Sequence, residues 1–289
     1  MKKNKSLYGL LIILIFLNIS CSSIDNTKGT DFHVHVGKPP KVKVDDVSWD
    51  AKRSLLAIKS INLSRALIIS RGYQKNRNQK AVISENNYVI EMQKNMPLVF
   101  SAACGVSITH IWAIEETERC IKIGAKVFKL HFMADGVDLQ NENILGKVNK
   151  VLSLISNAKL SILVHAAYPK SKEKQSIELV KLINKYPDIT WIIGHLFGRN
   201  FKMISEIKHS NYYVETSILP LWMKKDADKK SLVSSMREIG IEHFVFGSDW
   251  PVIHPAESLK SLRELGLSKS EINKILYINA TFLDKIFEN

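Results

Sequence analysis

Cysteine is scarce in this sequence, whose 289 residues contain only Cys21, Cys104 and Cys120. No two of them have the CxxC spacing of a structural zinc site, so a zinc site of that class is excluded. Cys104 is predicted at the end of a strand and Cys120 in the middle of a helix. They could pair with each other, but two buried free thiols are the favoured interpretation, because cysteine often serves as a small core residue.

The sequence also lacks an apolar run of about 20 residues, the length that a helix needs to cross a bilayer. The apolar run at residues 7–19 is shorter, and it follows a lysine-rich start and precedes Ser20 and Cys21. This order of a basic, an apolar and a small-residue segment is typical of a secretory signal. A small residue before a cysteine resembles a bacterial lipobox, although Leu17 stands one place further back than in the usual motif.

We therefore expect residues 1–20 to be a signal peptide, Cys21 to carry a lipid, and residues 21–29 to be a polar tether. The lipid would anchor the exported protein to a membrane of the bacterial cell envelope without spanning it. A soluble exported protein cleaved nearby and an uncleaved anchor are the alternatives.

Nucleic-acid-binding modules are absent as well, although the formal net charge is +13. The lysines Lys2, Lys3 and Lys5 of the predicted signal contribute three of these charges, which leaves +10 on the rest of the chain. A basic protein can bind nucleic acid, an anionic membrane or anionic small molecules. Since an exported protein rarely meets DNA, we expect a cell-surface setting or an anionic substrate. A generally lysine-rich proteome would explain the charge equally well.

Short apolar runs alternate regularly with longer amphipathic runs, and no internal domain boundary interrupts them. The short runs are apolar on both faces, which is typical of buried parallel strands. Eight strands are predicted, at residues 31–36, 66–70, 98–102, 126–131, 161–165, 190–195, 212–216 and 243–247. Helices are predicted between them, for example at residues 143–157, 172–185 and 229–239.

Eight strand–helix repeats in a chain of this length predict one α/β domain, a (β/α)8 TIM barrel over residues 30–289. An open, doubly wound sheet is the alternative, but the glycine-rich phosphate loop that such sheets often carry is missing. The longest predicted connection, at residues 71–82, follows the second strand and should lie on the functional face of the barrel.

Ligand-type side chains stand where the predicted strands end. His33 and His35 are two residues apart on the first strand, so their side chains point to the same face. His165 and His195 end the fifth and sixth strands, and Asp249 follows the eighth. Because the carboxyl ends of parallel barrel strands lie together, these side chains should converge. Each alone could be a core histidine or a helix-capping aspartate, but their coincidence predicts a functional site.

Nitrogen and oxygen ligands of this kind suit a divalent metal, with Zn²⁺ first and Mn²⁺, Fe²⁺ or Co²⁺ possible. Such a metal lowers the pKa of its bound water from near 16 towards about 7 and generates hydroxide at neutral pH. Asp249 can both contact the metal and accept a proton from that water. His195 can polarise a substrate carbonyl or serve as the base itself.

Several segments resemble the amidohydrolase-related family, in the branch that includes aminocarboxymuconate-semialdehyde decarboxylase and small lactonases. The matching segments span nearly all of the chain after the signal and lie at residues 31–35, 124–131, 165, 194–195, 246–251 and 278–283. The resemblance implies a distorted (β/α)8 barrel that usually holds one divalent metal. By position it implies four metal ligands, namely His33, His35, His165 and Asp249. It also implies that His195 is the catalytic histidine of the sixth strand.

Lys129, at the end of the fourth strand, leaves the number of metals open. In binuclear amidohydrolases a lysine at this place is carboxylated and bridges two metals, and Lys129 and His195 would then complete a second metal site. A strand-four lysine followed by a histidine, here His131, also occurs in the mononuclear branch, where the lysine can contact substrate. One metal is therefore favoured over two.

Further polar residues near strand ends are candidates for the substrate pocket, namely Arg71, His131 and Glu215. Each could instead be a capping or solvent-facing residue. The basic run from Arg71 to Lys80 could steer a carboxylate-bearing substrate, although a solvated loop explains it too. Trp222 and Tyr168 could supply apolar walls.

The sequence thus predicts a metal-dependent hydrolase that cleaves an ester, lactone or amide through metal-bound hydroxide. Metal-dependent non-oxidative decarboxylation is the alternative within the same family. A non-catalytic surface binding protein on a decayed barrel is the alternative from another class, and the intact ligand set argues against it. We expect the protein to bind a small-molecule substrate and, through its lipid, a membrane. We do not expect it to bind nucleic acid.

Overall fold

The computed structural model describes residues 29–37, 50–222 and 226–284. The predicted signal peptide, the predicted lipidation residue Cys21 and nearly all of the predicted tether lie outside these ranges. Within the described ranges, no helix has both the length and the apolar character that crossing a membrane requires.

Eight parallel strands pair in sequence order, each with the next. They are β1 (Thr30–His35), β2 (Arg65–Ile69), β3 (Phe100–Gly105), β4 (Val127–Leu130), β5 (Ser161–Val164), β6 (Thr190–Ile193), β7 (Tyr212–Glu215) and β8 (Phe244–Val245). Phe32 N donates to Phe246 O and Asp249 N to His33 O, both at 2.9 Å, so the chain after β8 joins β1. The predicted TIM barrel is confirmed, and this pairing order rules out the open doubly wound sheet.

Helices connect the strands and cover the outside of the barrel. They are α1 (Ala51–Lys59), α2 (Gln79–Asn95), α3 (Ala113–Lys122), α4 (Phe132–Asp135), α5 (Glu142–Asn157), α6 (Glu173–Lys185), α7 (Phe201–Ser205), α8 (Leu219–Trp222), α9 (Asp226–Ile239), α10 (Pro255–Arg263) and α11 (Lys269–Asn273). In α5 the residues Val148, Val151, Leu152 and Ile155 are buried. This spacing places them on one helical face, which packs against the strands.

The strands are buried on both faces because two apolar layers meet at them. Outward side chains, such as those of Ile68 and Phe128, pack with the helices in the larger hydrophobic cluster. Inward side chains, such as those of Leu67, Val127 and Leu163, fill the barrel interior in a second cluster. This arrangement explains why the strand sequences are apolar at nearly every position rather than at alternate ones.

Several predicted boundaries differ from the structure by one to three residues, and two of these differences have a clear local cause. β3 begins two residues later than predicted, because a turn in which Val99 N donates to Met96 O precedes it, and Leu98 is exposed. The connection after β2 is shorter than predicted, because the Asn78 side chain accepts from Ala81 N at 2.9 Å and starts α2 at Gln79. Such a side-chain cap is a common start of a helix.

The two cysteines that the structure describes are both buried and both free. Cys104 lies in β3 and Cys120 in α3. The prediction of two buried free thiols is confirmed.

Candidate metal centre

A β-bulge in β1 places both of its histidines inside the barrel. Asp31 and Val34, three residues apart, pair with two residues of β2 that are only two apart. The extra residue of a bulge changes the direction in which the following side chains point. Val34 packs among the helix-side residues. His33 and His35 face each other with their Nε2 atoms 3.2 Å apart.

The side chain of Asp31 stabilises the bulge through hydrogen bonds to two backbone N–H groups. Its Oδ1 accepts from the backbone N–H of His33 at 3.1 Å and of Ser248 at 3.0 Å. Burial raises the pKa of Asp31 to about 7. Asp31 therefore links the β1 histidines to the chain segment that carries Asp249.

Three donor atoms form a nearly equilateral triangle at the carboxyl end of the barrel. Oδ1 of Asp249 lies 3.3 Å from Nε2 of His33 and 3.2 Å from Nε2 of His35. All three residues are buried. Burial opposes ionisation of Asp249, but the two histidines and Lys129 outweigh it and lower the pKa of Asp249 to about 2.

Asp249 adopts a backbone conformation that is uncommon for a residue with a side chain. Its φ is +66°, in the left-handed region. Such a conformation costs on the order of 1–3 kcal/mol and persists only where the surroundings impose it. Here the hydrogen bonds from Asp249 N to His33 O and from His35 N to Trp250 O hold the segment against β1.

His165 follows β5 beside the triangle but does not belong to it. Its Nε2 lies 3.3 Å from the carbonyl oxygen of Ala167. Its ring stacks on that of His131, with centroids 3.8 Å apart, and meets the ring of His195 edge-on at 4.6 Å. His131 also caps α4, since its Nδ1 accepts from Ala134 N.

His195 follows β6 and begins a left-handed turn. All five residues of this turn have φ between +50° and +64°, and they are His195, Leu196, Phe197, Gly198 and Arg199. The left-handed form costs roughly 1–2 kcal/mol per non-glycine residue. The side chains of Leu196 and Phe197, within the turn, are buried. His195 N donates to Oε1 of Glu215 at 2.7 Å. These contacts hold the His195 ring 4.9 Å from the ring of His33.

Glu215, at the end of β7, lies behind the triangle rather than in an open pocket. It is fully buried, and its Oε1 lies 2.9 Å from Nδ1 of His33. Ser217 contacts it twice, through its N–H at 2.6 Å and through its hydroxyl at 2.8 Å. The hydroxyl of Ser217 is also 2.6 Å from Nδ1 of His195.

Two cationic side chains act on the triangle, Lys129 by contact and Arg71 through its charge. Nζ of Lys129, which is buried on β4, lies 3.3 Å from Nε2 of His33 and 5.9 Å from the ring centre of Tyr73. Burial lowers the pKa of Lys129 to about 8. The charge of Arg71, just after β2, acts with burial and Lys129 to lower the pKa of His35.

The histidines of the centre are neutral near neutral pH. Burial is the main cause, and it lowers the pKa of His33, His35 and His195 and that of His165 to about 4. A neutral imidazole has a lone pair on one nitrogen, which is the form that binds a metal or accepts a proton.

A groove of about 690 Å³ lies between the connections that follow β5 and β6. Tyr168, Phe197 and Arg199 are among its lining residues. The Tyr168 ring lies 6.5 Å from the ring of His165, but His33, His35 and Asp249 do not line the groove. Trp222 lies further out, beneath the guanidinium of Arg199 at 5.7 Å.

The sequence does not predict a role for Ser217 or Asp31. In the structure Ser217 contacts the ring of His195, and Asp31 accepts from the backbone N–H of His33. Ser217 stands two residues after Glu215, just past a strand end, and that position was the available signal. Asp31 precedes the two histidines, but nothing in the pattern indicates the bulge that its carboxylate stabilises.

Comparison with known proteins gives one family match and a set of similar folds. The family model described as amidohydrolase matches residues 31–283. No curated protein matches the chain.

Several solved structures share the fold at low sequence identity. The 5-carboxyvanillate decarboxylase from Sphingomonas paucimobilis is 12% identical with a TM-score of 0.68, over 91% of this chain and 99% of that chain. A dihydroxybenzoic acid decarboxylase from a Polaromonas species, with bound manganese and 2-nitroresorcinol, is 13% identical with a TM-score of 0.65, over 90% and 97%. A candidate amidohydrolase from Staphylococcus aureus is 19% identical with a TM-score of 0.65, over 89% and 99%.

Proposed function

Because the chain belongs to the amidohydrolase family, we propose that it is a divalent-metal-dependent enzyme that hydrolyses an ester, lactone or amide bond of a small anionic molecule. The observation that carries this proposal is the triangle of donor atoms from His33, His35 and Asp249. Its three edges measure 3.2, 3.3 and 3.2 Å.

The triangle has the size that one metal ion requires. Nitrogen and oxygen ligands lie about 2.0–2.2 Å from such an ion, so neighbouring ligands in octahedral or tetrahedral arrangements are about 2.8–3.6 Å apart. Two imidazoles and a carboxylate suit Zn²⁺, Mn²⁺, Fe²⁺ or Co²⁺. Zn²⁺ remains our first choice, and the manganese bound in the Polaromonas decarboxylase supports Mn²⁺ as the alternative.

One metal fits better than two. A second group of possible ligands, namely His33, His195 and Glu215, shares His33 with the triangle. Nδ1 of His33 is already hydrogen-bonded to Glu215 at 2.9 Å, which leaves one nitrogen of that ring for a metal. We propose His165 as the fourth ligand, since its neutral ring adjoins the centre and its contact with Ala167 O, at 3.3 Å, is weak.

When bound, the metal would supply Lewis acidity, which polarises a carbonyl and acidifies water. Asp249 and His195 are the residues that we propose to hold and move the proton, because Asp249 is one corner of the triangle and His195 is buried beside it. Lys129 and Arg71 would attract an anionic group of the substrate.

Non-oxidative decarboxylation is the second candidate, and two observations favour it. Several solved structures with this fold are decarboxylases of hydroxylated benzoates. The cations Lys129 and Arg71 would also suit a substrate whose reacting group is a carboxylate. In that reaction the bond between the carboxyl group and the carbon that bears it breaks, and the carboxyl group leaves as carbon dioxide. A proton then takes its place on that carbon.

One screen separates the two reactions. The protein, loaded separately with Zn²⁺ and Mn²⁺, is incubated with esters, lactones, amides and aromatic carboxylates in D₂O and in H₂¹⁸O. Hydrolysis places ¹⁸O in the product acid, whereas decarboxylation places deuterium on the carbon that carried the carboxyl group. Substoichiometric metal together with no turnover after metal addition would refute both and support the non-catalytic binding protein.

A further inference from the structure

We propose that Glu215 and Ser217 are positioning residues that together fix the tautomers of two histidines, His33 and His195. The roles of these histidines rest on the proposed function, whereas the tautomers follow from the hydrogen bonds alone. Neither Glu215 nor Ser217 needs to touch substrate or metal to act in this way.

The carboxylate of Glu215 is committed to accepting hydrogen bonds. Its Oε1 accepts from the backbone N–H of His195 at 2.7 Å, and its Oε2 from the backbone N–H of Ser217 at 2.6 Å. Backbone N–H groups can only donate. Both oxygens therefore act as acceptors in a place without solvent, since Glu215 is fully buried.

The proton on His33 follows directly. Nδ1 of His33 lies 2.9 Å from Oε1 of Glu215, and since an ionised carboxylate has no hydrogen to donate, Nδ1 carries the hydrogen. A neutral imidazole has one N–H, so Nε2 keeps its lone pair. That lone pair faces His35 and Asp249, where the metal is proposed.

The proton on His195 follows through Ser217. A hydroxyl has one hydrogen to donate, and the Ser217 hydroxyl lies 2.8 Å from Oε1 of Glu215 and 2.6 Å from Nδ1 of His195. Because Glu215 accepts, the hydroxyl donates to it and must accept from His195. Nδ1 of His195 therefore carries the hydrogen, and Nε2 keeps the lone pair that a base requires.

Glycines at the ends of the two neighbouring strands, β6 and β8, leave space for the carboxylate of Glu215. A β-carbon at Gly194 would lie 2.9 Å from the backbone oxygen of Val164 and 3.3 Å from Oε1 of Glu215, and one at Gly247 would overlap Oε2. Gly194 directly precedes His195, and Gly247 precedes the segment with Asp249. The glycines of both motifs thus make room for one buried acid.

His35 provides an internal contrast. Its Nδ1 is buried and has no hydrogen-bond partner within the described part of the chain. Glu215 therefore fixes His33 and His195 but not His35. Nε2 of His35 lies 3.2 Å from Oδ1 of Asp249, which accepts, so in the metal-free protein we expect His35 as the Nε2–H tautomer and only His33 and His195 as Nδ1–H tautomers.

Long-range ¹H–¹⁵N NMR of histidine-labelled, metal-free protein tests the proposal without any substrate. We expect His33 and His195 as pure Nδ1–H tautomers in the wild type. In Glu215→Gln both should become mixtures, and divalent metal affinity, measured by chelator competition, should fall about 10- to 100-fold, as for other residues that orient a metal ligand. Glu116→Gln, which also alters a buried carboxylate, should change neither.

Variants of Ser217 should affect His195 but not His33. They keep the proposal testable if Glu215→Gln does not fold. Ser217→Ala should disturb the tautomer of His195 alone and leave metal affinity within about twofold, and Ser217→Thr, which keeps the hydroxyl, should restore the tautomer. With a substrate in hand, Ser217→Ala should lower kcat more than it changes KM. Ser101→Ala, which removes a buried hydroxyl that has no hydrogen-bond partner among the described residues, is the control.

An unchanged His195 tautomer in Ser217→Ala, or unchanged tautomers and affinity in Glu215→Gln, would overturn the proposal. If wild-type protein shows the assigned tautomers but binds no metal, the proposed function fails while the assignment of Glu215 and Ser217 stands.

Discussion

Gly247 packs against Glu215 so closely that any β-carbon at position 247 would overlap Oε2 of the carboxylate. We therefore expect Gly247→Ala to displace Glu215, release Nδ1 of His33 and weaken metal binding at least tenfold. Chelator competition measures the affinity, and circular dichroism checks that the barrel remains folded.

Gly146→Ala is the matched control, because nothing lies within 4 Å of a β-carbon at that position in α5. Alanine in place of glycine within a helix stabilises by roughly 0.5–1 kcal/mol. Gly146→Ala should therefore raise the thermal midpoint slightly and leave metal affinity unchanged. Equal metal affinity in both alanine variants would show that the contact between Gly247 and Glu215 has no part in the centre.

Asp249→Asn keeps the shape of the side chain and removes its charge from the triangle. We expect loss of tightly bound metal and of turnover with a preserved fold, because the carboxylate is the anionic donor between His33 and His35. Asp188→Asn, an exposed position before β6, is the control. Wild-type turnover in Asp249→Asn would refute the assigned role, and we expect the same outcome for His33→Ala as for Asp249→Asn.

Removing the metal should be reversible. Dialysis against a chelator should abolish turnover, and addition of Zn²⁺ or Mn²⁺ should restore it, because the donor atoms come from a buried and hydrogen-bonded scaffold. The metal that restores the higher kcat/KM at equal occupancy identifies the better cofactor. Full activity in protein shown by elemental analysis to be metal-free would exclude a metal-dependent reaction.

The metal-free protein should lose stability as the pH falls. Unfolded histidine has a pKa of about 6.5, whereas burial lowers the pKa of His165 to about 4 and also lowers those of His33 and His195. Between these values the unfolded state binds more protons, so the free energy of unfolding decreases on acidification. Asp31, whose pKa burial raises to about 7, acts in the opposite direction but is a single group.

Thermal melts between pH 7 and 4.5 measure this effect. The midpoint should fall steadily below pH 6.5, and the fall should be smaller in His165→Asn, which lacks one titrating group. A midpoint that stays flat or rises on acidification would contradict the neutral state of the buried histidines.

The predicted lipid anchor at Cys21 can be tested in cells, and we propose that the protein is an exported lipoprotein of the cell envelope. Labelled palmitate should enter the wild type but not Cys21→Ala, and globomycin should block processing. The matched substitution Cys104→Ala removes a cysteine of the barrel and should leave labelling intact. An unlabelled wild type would indicate a soluble or otherwise anchored product.

The barrel could be predicted because its signals are local. Each strand is a short apolar run, and the strand order follows from the alternation of strands and helices. The convergence of His33, His195 and Asp249 required no knowledge of loops, because parallel strands bring their carboxyl ends together.

The finer geometry depends on contacts between distant segments and could not be predicted. The bulge in β1 follows from pairing with β2 and from the Asp31 carboxylate, and Glu215 at the end of β7 meets His33 in β1 at a separation of 182 residues. The left-handed turn that begins at His195 opposes the local preference of Leu196 and Phe197, and their burial and the bond from His195 N to Glu215 help to maintain it. His165 stacks on His131 for reasons that neither local sequence reveals.

Anomalous-scattering maps from crystals grown with Zn²⁺ or Mn²⁺ test the metal centre most directly. We expect one peak within bonding distance of Nε2 of His33, Nε2 of His35 and Oδ1 of Asp249, with Lys129 unmodified. The absence of a peak between these atoms, or two peaks bridged by a carboxylated Lys129, would contradict the single metal centre.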